Sequence, residues 1–137
     1  MNYLEERATA ILESATTITL ASVNEEGFPR PMAMIPILHD GIQTIYFETK
    51  EREGGQTKVN QFQANEKAGI EFHQGIDSVT IFGEIEVISS IEEVESIREK
   101  ADRKYFASVS NDGVSVLKFT SVRALYVIDG QFKRQEF

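Results

Sequence analysis

The chain has 137 residues, 41% of them hydrophobic and 26% charged, the length and balance of one globular domain with its own core. Its 22 acidic residues stand against 14 basic ones, a net charge of −8, so neither nucleic acid nor an anionic membrane is expected as a partner. Cysteine is absent, which excludes disulfides and thiolate metal sites and suits a reducing, cytoplasmic setting.

The N-terminal stretch MNYLEERATAILESA carries four charges and no long apolar run, which predicts neither a signal peptide nor a spanning helix. No repeat or linker divides the chain, and Gly54-Gly55 is too short to do so. Residues 1–137 are therefore expected to form a single domain.

Residues 2–15 read as a helix capped by Asn2, with Leu4, Ala8, Ile11, Leu12 and Ala15 on one stripe. Residues 17–23 (TITLASV) are rich in β-branched side chains and predict a strand, closed by a turn at Asn24–Gly27. Residues 29–38 (PRPMAMIPIL) predict a second strand, irregular because Pro29, Pro31 and Pro36 each remove an amide donor. Asp40-Gly41 predicts a hairpin turn and Ile42–Glu48 its return strand. Thr57 then caps a short helix through Asn65, with Val59 and Phe62 inward, and Lys67–His73 follows as a strand.

Residues Ser78–Ile88 alternate cleanly. Val79, Ile81, Gly83, Ile85 and Val87 share one face and Thr80, Phe82, Glu84 and Glu86 the other. Ser90 and Glu93 suggest a capping box opening a helix to about Phe106, with Ile91, Val94, Ile97, Ala101 and Tyr105 inward. Asn111-Asp112-Gly113 reads as a turn before two strands, 114–120 and 122–128. About seven strands in hairpin order with three helices predict a mostly β (α+β) fold, an antiparallel sheet closing as a barrel.

Catalytic side chains are scarce. His39 beside a turn reads as solvated, and His73 at a strand end reads as structural or exposed rather than catalytic. No histidine pair has metal-ligand spacing, and Glu92, Glu93 and Glu95 read as a solvated helix face. There is neither a Walker motif nor a G-x-G-x-x-G loop.

What remains is the loop at 49–58, TKEREGGQTK, leading into a helix. A helix N-terminus offers free amides, to which Thr57 adds a hydroxyl and Lys58 a charge, the components of a phosphate site. Thr57 is equally a plain helix cap, and Glu51 and Glu53 oppose an anion. Arg30-Pro31-Met32 is a second pointer, because a proline-interrupted strand leaves backbone groups for a planar ligand. The same three residues also read as a surface arginine beside a core methionine.

The ordered set TITLASVNEEGFPRPMAM, a DG hairpin, IYFET, a Thr-Lys helix start with KVNQFQANEKAGIEF, and SVTIFGEIEVI resembles the pyridoxamine 5′-phosphate oxidase-like split-barrel family. It is most similar to short members of the general stress protein 26 kind, over residues 5–90 above all. That resemblance implies a split-barrel homodimer with FMN between subunits. Arg30, Pro31, Met32 and Ala33 would then face the flavin from the arginine-proline strand, and Tyr46 and Phe47 would lie along its ring. Thr49, Thr57 and Lys58 would hold the phosphate, and Gln74, near His73, would approach from the partner subunit. The resemblance further implies an oxidoreductase acting on a small molecule, or a non-enzymatic FMN-binding or stress-related module. Haem- and deazaflavin-binding relatives offer a third course, with His73 the residue suited to haem and Met32 or Met34 weaker ligands. The acidic insert at Glu51–Glu53 departs from the family pattern. The C-terminal part is short for the true oxidase's substrate segment, so vitamin B6 oxidation is not expected.

Overall fold

A computed structural model describes residues 1–50, 58–102, 106, 110 and 113–137. In chain order these form α1 (Tyr3–Ser14), β1 (Ile18–Val23), β2 (Pro29–Met34), β3 (Pro36–Asp40), β4 (Thr44–Lys50), α2 (Lys58–Ala64), β5 (Lys67–Gln74), β6 (Asp77–Ile88), α3 (Ile91–Lys100), β7 (Val114–Ile128) and β8 (Gln131–Glu136). The expected positions of Thr57, Glu51, Glu53, Gly54-Gly55, Tyr105 and the Asn111-Asp112 turn lie outside the described residues. None of the described helices is long and apolar enough to cross a membrane.

Every ladder is antiparallel, in the order β2-β1-β5-β6-β7-β4-β3, with β8 added to β7. β2 and β3 stand at opposite ends of that order, yet only Ile35 separates them in sequence. One residue spans at most about 3.6 Å, so the sheet has to curl until its ends meet. The mostly β, antiparallel split-barrel architecture expected from the sequence is what results. The predicted strand at 29–38 is therefore two strands, because the chain leaves one sheet edge at Met34 and joins the other at Pro36.

The interior is apolar. Leu20, Ile45, Phe47, Ile70, Phe72, Val79, Ile81, Leu117, Phe119 and Tyr126 form one buried cluster, and α1 adds Ala8, Ile11 and Leu12 to it. Asn2 caps α1 as expected, its Oδ1 accepting from the Glu5 amide at 2.8 Å. A second, smaller cluster lies beneath α3, where Ile88, Val94, Val114 and Val116 pack with Tyr46 and Ile97. α3 ends at Lys100 rather than near Phe106, and Ile91 points outward at 60% exposure. Ser90 stands at the N-cap without a side-chain bond, so the predicted capping box does not form. In α2, Phe62 is buried and Val59 only partly so, while the polar Lys58 and Gln61 turn inward.

The two strands predicted at 114–120 and 122–128 are one strand of 15 residues. Val122 is a bulge, since Gly83 pairs Ser121 while Phe82 pairs Arg123. The inward set consequently shifts phase, from Leu117, Phe119 and Ser121 to Ala124, Tyr126 and Ile128. One extra residue thus imitates a strand break in the hydrophobic pattern. β7 also changes neighbour there, pairing β4 through 114–120 and β8 through 123–128. Strand β8 has no apolar alternation to announce it. The Asp129-Gly130 turn does, with φ of 54° and 74°, the left-handed pair that a two-residue hairpin needs.

Candidate functional site

β2 is an end strand, so β1 holds only one of its edges. Alternation turns Arg30, Met32 and Met34 to the partly buried side and leaves Pro29, Pro31 and Ala33 exposed. Met34 reaches the core, which identifies the Arg30 side as the inner one.

Lys58 opens α2 and is 3% exposed. Its Nζ donates to three oxygens: the Leu20 carbonyl at 3.2 Å, the Ser22 hydroxyl at 2.8 Å and the Arg30 carbonyl at 2.6 Å. Ser22 in turn donates its own proton to Gln61 Oε1. The ammonium thus ties α2 to both β1 and β2, with all three hydrogens engaged. Burial, aided by the positive charge of Arg30, pulls its pKa down to about 8.

The Arg30 guanidinium is in the opposite situation. Its Nη1 is buried and lacks a hydrogen-bond partner. An orphaned charged donor costs more than the ~1–3 kcal/mol of an orphaned neutral one, and it commonly marks the place of an anion or water. Two cations therefore share the inner side of the β1–β2 edge, and among the described residues no carboxylate pairs with either. These residues fit the phosphate end of a flavin mononucleotide.

The other expected residues are dispersed. Phe47 is wholly buried in the core, whereas Tyr46 faces the opposite side, against the cluster under α3. Strand alternation allows at most one of those side chains to meet a given ligand. Thr49 is half-buried opposite Ser115 near the end of β4. Gln74 is exposed at the far end of β5, about 20 Å along the strands from the Arg30 level. His73 is exposed, with Nδ1 2.9 Å from Glu71 Oε1. His39 is more enclosed than a solvated turn residue. Its Nδ1 lies 3.1 Å from the Gly41 carbonyl oxygen, and its ring borders a cavity of about 330 Å³ among Leu12, Ala15, Ile35 and Leu38. Among the described residues, none of those expected at the flavin lines that cavity.

Three residues escaped sequence reasoning. Ser22 is a polar residue on the inward register of ITLASV, and Gln61 stands one turn after Lys58, so both carried a readable signal. Arg98 sits four residues after Val94 on the inner face of α3 and is buried. It grips Glu48 of β4 with Nε–Oε1 at 2.5 Å and Nη2–Oε2 at 3.0 Å. The Phe106 ring lies 4.3 Å from the same guanidinium.

The fold recurs in solved structures. A Clostridium acetobutylicum protein related to general stress protein 26 of B. subtilis aligns at TM-score 0.81 and 18% identity, covering 98% of this chain and 94% of that one. General Stress Protein 26 from Bacillus anthracis aligns at TM-score 0.72 and 16% identity over 98% and 100%. A heme binding protein from Mycobacterium smegmatis aligns at TM-score 0.77 and 17% identity over 99% and 59%. Identities this low speak for the fold alone. No curated protein sequence matches the chain significantly. The sequence model of the family described as Pyridoxamine 5′-phosphate oxidase, however, matches residues 4–128, and on that match the chain belongs to the Pyridoxamine 5′-phosphate oxidase family.

Proposed function

We propose that this chain is an FMN-binding flavoprotein that seats the ligand's phosphate against Arg30, beside the charge of Lys58. The observation that carries the reading is the buried Arg30 Nη1 without a partner. A phosphate oxygen would complete it with a charge-assisted bond. Lys58 holds the Arg30 carbonyl, so it both fixes the strand that bears the guanidinium and adds positive potential. The backbone of Pro31, Met32 and Ala33 on the edge strand offers groups to a flat ring. Thr49 and Thr57 belong to the same proposal as further phosphate contacts.

The bound flavin would supply the redox chemistry, while this chain supplies binding, orientation and local electrostatics. That division accounts for the scarcity of acid–base side chains. The activity that fits is an oxidoreductase acting on a small molecule, in a cysteine-free protein suited to the cytoplasm. Haem is less well supported, since His73 is exposed and engaged with Glu71.

A homodimer is part of the same reading. α3 covers the outer face near Ile88, Val114 and Val116, while Phe82, Val127 and Phe132 stay exposed on that face, and Pro31 and Ala33 of the site open onto the outer face of the same sheet. The expected contact of Gln74 with the flavin belongs to the same proposal and would come from the second copy, since within one chain Gln74 lies about 20 Å along the strands from the Arg30 level.

Titrating FMN into the wild type and Arg30→Ala tests the anchor. Loss of a charge-assisted bond should weaken binding by roughly 10- to 100-fold, about 1.5–3 kcal/mol. Equal affinities would refute it. Incubating the FMN-loaded protein with NADH or NADPH and a quinone or nitro compound separates an enzyme, which turns over, from a carrier, which does not.

A further inference from the structure

Ser22 stands directly opposite Arg30 in the β1–β2 ladder, and it is fully buried. A hydroxyl has one proton to give and lone pairs with which to accept. The Ser22 proton goes to Gln61 Oε1, one turn along α2 from Lys58. Its contact with Lys58 Nζ is therefore one that Ser22 accepts. The other two oxygens at Nζ are the Leu20 and Arg30 carbonyls, which can only accept.

Three acceptors facing one nitrogen discriminate between its protonation states. An ammonium has three N–H bonds and satisfies them all. A neutral amine has two N–H bonds and a lone pair, which would be turned against an oxygen. Hydrogen bonds to the charged form favour that form. Burial acts in the other direction, lowering the Lys58 pKa to about 8, and the charge of Arg30 adds to it. No other group around Nζ offers a charge. β1 has no charged residue, α2 has none besides Lys58, and the inward set of β6, on which α2 packs, is uncharged. The Phe62 ring lies 5.9 Å from Nζ, and among the described residues no carboxylate pairs with it. Oxygen lone pairs thus stand where a counter-ion otherwise would.

We infer that Ser22, oriented by Gln61, is a positioning residue of this site, whose oxygen holds Lys58 as an ammonium on the Arg30 carbonyl and so sets both the seat of Arg30 and the positive potential offered to a phosphate. This rests on the reading that Arg30 receives a phosphate. Ser22 touches no ligand in this scheme and acts through Lys58.

The test follows two quantities against pH in the wild type, Ser22→Val and Ser22→Thr, two variants of one shape that differ in the oxygen. One quantity is the affinity for FMN relative to riboflavin, which lacks the phosphate. The other is the ligand-free stability in urea. Losing a hydrogen bond to a charged group should bring the fall in FMN preference on about one pH unit earlier in Ser22→Val. The deficit against the wild type should grow from less than about twofold near pH 6 to ~fivefold near pH 8. The rise of ligand-free stability with pH should begin earlier by the same interval, because the folded protein then sheds the Lys58 proton sooner. Ser22→Thr restores the oxygen and should return both profiles to those of the wild type. Profiles that match in Ser22→Val and the wild type, or that move equally in Ser22→Val and Ser22→Thr, would overturn the inference and leave Ser22 a packing residue. If either variant does not fold, Ser22→Ala against the wild type makes the same comparison. A wild type that binds FMN no better than riboflavin would instead overturn the phosphate reading, while the ligand-free melts would still decide whether Ser22 holds Lys58 charged.

Discussion

The Nζ of Lys58 donates to the Arg30 carbonyl oxygen at 2.6 Å, so the two cations of the β1–β2 edge are joined through one side chain and the other's backbone. The ammonium is satisfied by three oxygens, whereas the guanidinium keeps an unmet donor. The residue best placed to receive an anion is thus Arg30, and Lys58 holds it in position.

That arrangement has a pH signature. Lys58 has its pKa lowered to about 8, and a nearby phosphate would favour the charged form, so ligand binding above that pH takes up a proton. FMN affinity should fall from about pH 8 upward, by up to ~10-fold per pH unit, and the fall should vanish in Lys58→Met. Fluorescence titrations across this range measure it. Without ligand the sign reverses. Between about 8 and the ordinary 10.5 the unfolded chain binds more protons than the folded one, so stability relative to Lys58→Met should rise with pH through that window. The full rise is about 3 kcal/mol, readable from urea melts of both proteins.

Gly83 occupies the point where the β6–β7 register shifts. A Cβ there would overlap the Thr120 carbonyl oxygen and the Phe119 ring. Both neighbours are held within the sheet, so Gly83→Ala should cost about 3 kcal/mol in a denaturant melt. A loss below ~1 kcal/mol would mean that the bulge relaxes freely.

Phe82 is 46% exposed on the outer face, so its replacement leaves the interior intact. If two copies meet there, Phe82→Glu should convert a dimer to a folded monomer in analytical ultracentrifugation. An unchanged mass would move the interface elsewhere.

The isoleucines of the two larger helices should respond differently. Ile11 of α1 is buried in the main core, and Ile11→Ala should cost about 3 kcal/mol. Ile91 of α3 points to solvent, and Ile91→Ala should change stability by no more than ~0.5 kcal/mol. Thermal melts of the two variants distinguish a core position from one that only looks apolar in the sequence.

Where an element's own pattern governs its placement, the sequence was sufficient. Alternation along Ser78–Ile88 marked the inward face of β6, Asn2 marked the start of α1, and the hairpin order implied an antiparallel, curling sheet. These depend on side-chain period and local hydrogen bonding, which are written residue by residue. The family resemblance pointed to Arg30 and Lys58, which the structure joins through one hydrogen bond.

Tertiary structure decided whatever depends on a distant partner. Ile35 splits a predicted strand only because the sheet's two ends meet there, and the Val122 bulge hides one long strand behind a phase shift. Tyr46 and Phe47 are adjacent in sequence but belong to different clusters. Arg98 reads as one more charge on a charged helix until Glu48, fifty residues earlier, is found beneath it. Local pattern states which way a side chain can point. Only the closed fold determines which oxygen, ring or charge it meets, and that is why Lys58 could be named from the sequence as a cation at a helix start but not as the residue that holds Arg30.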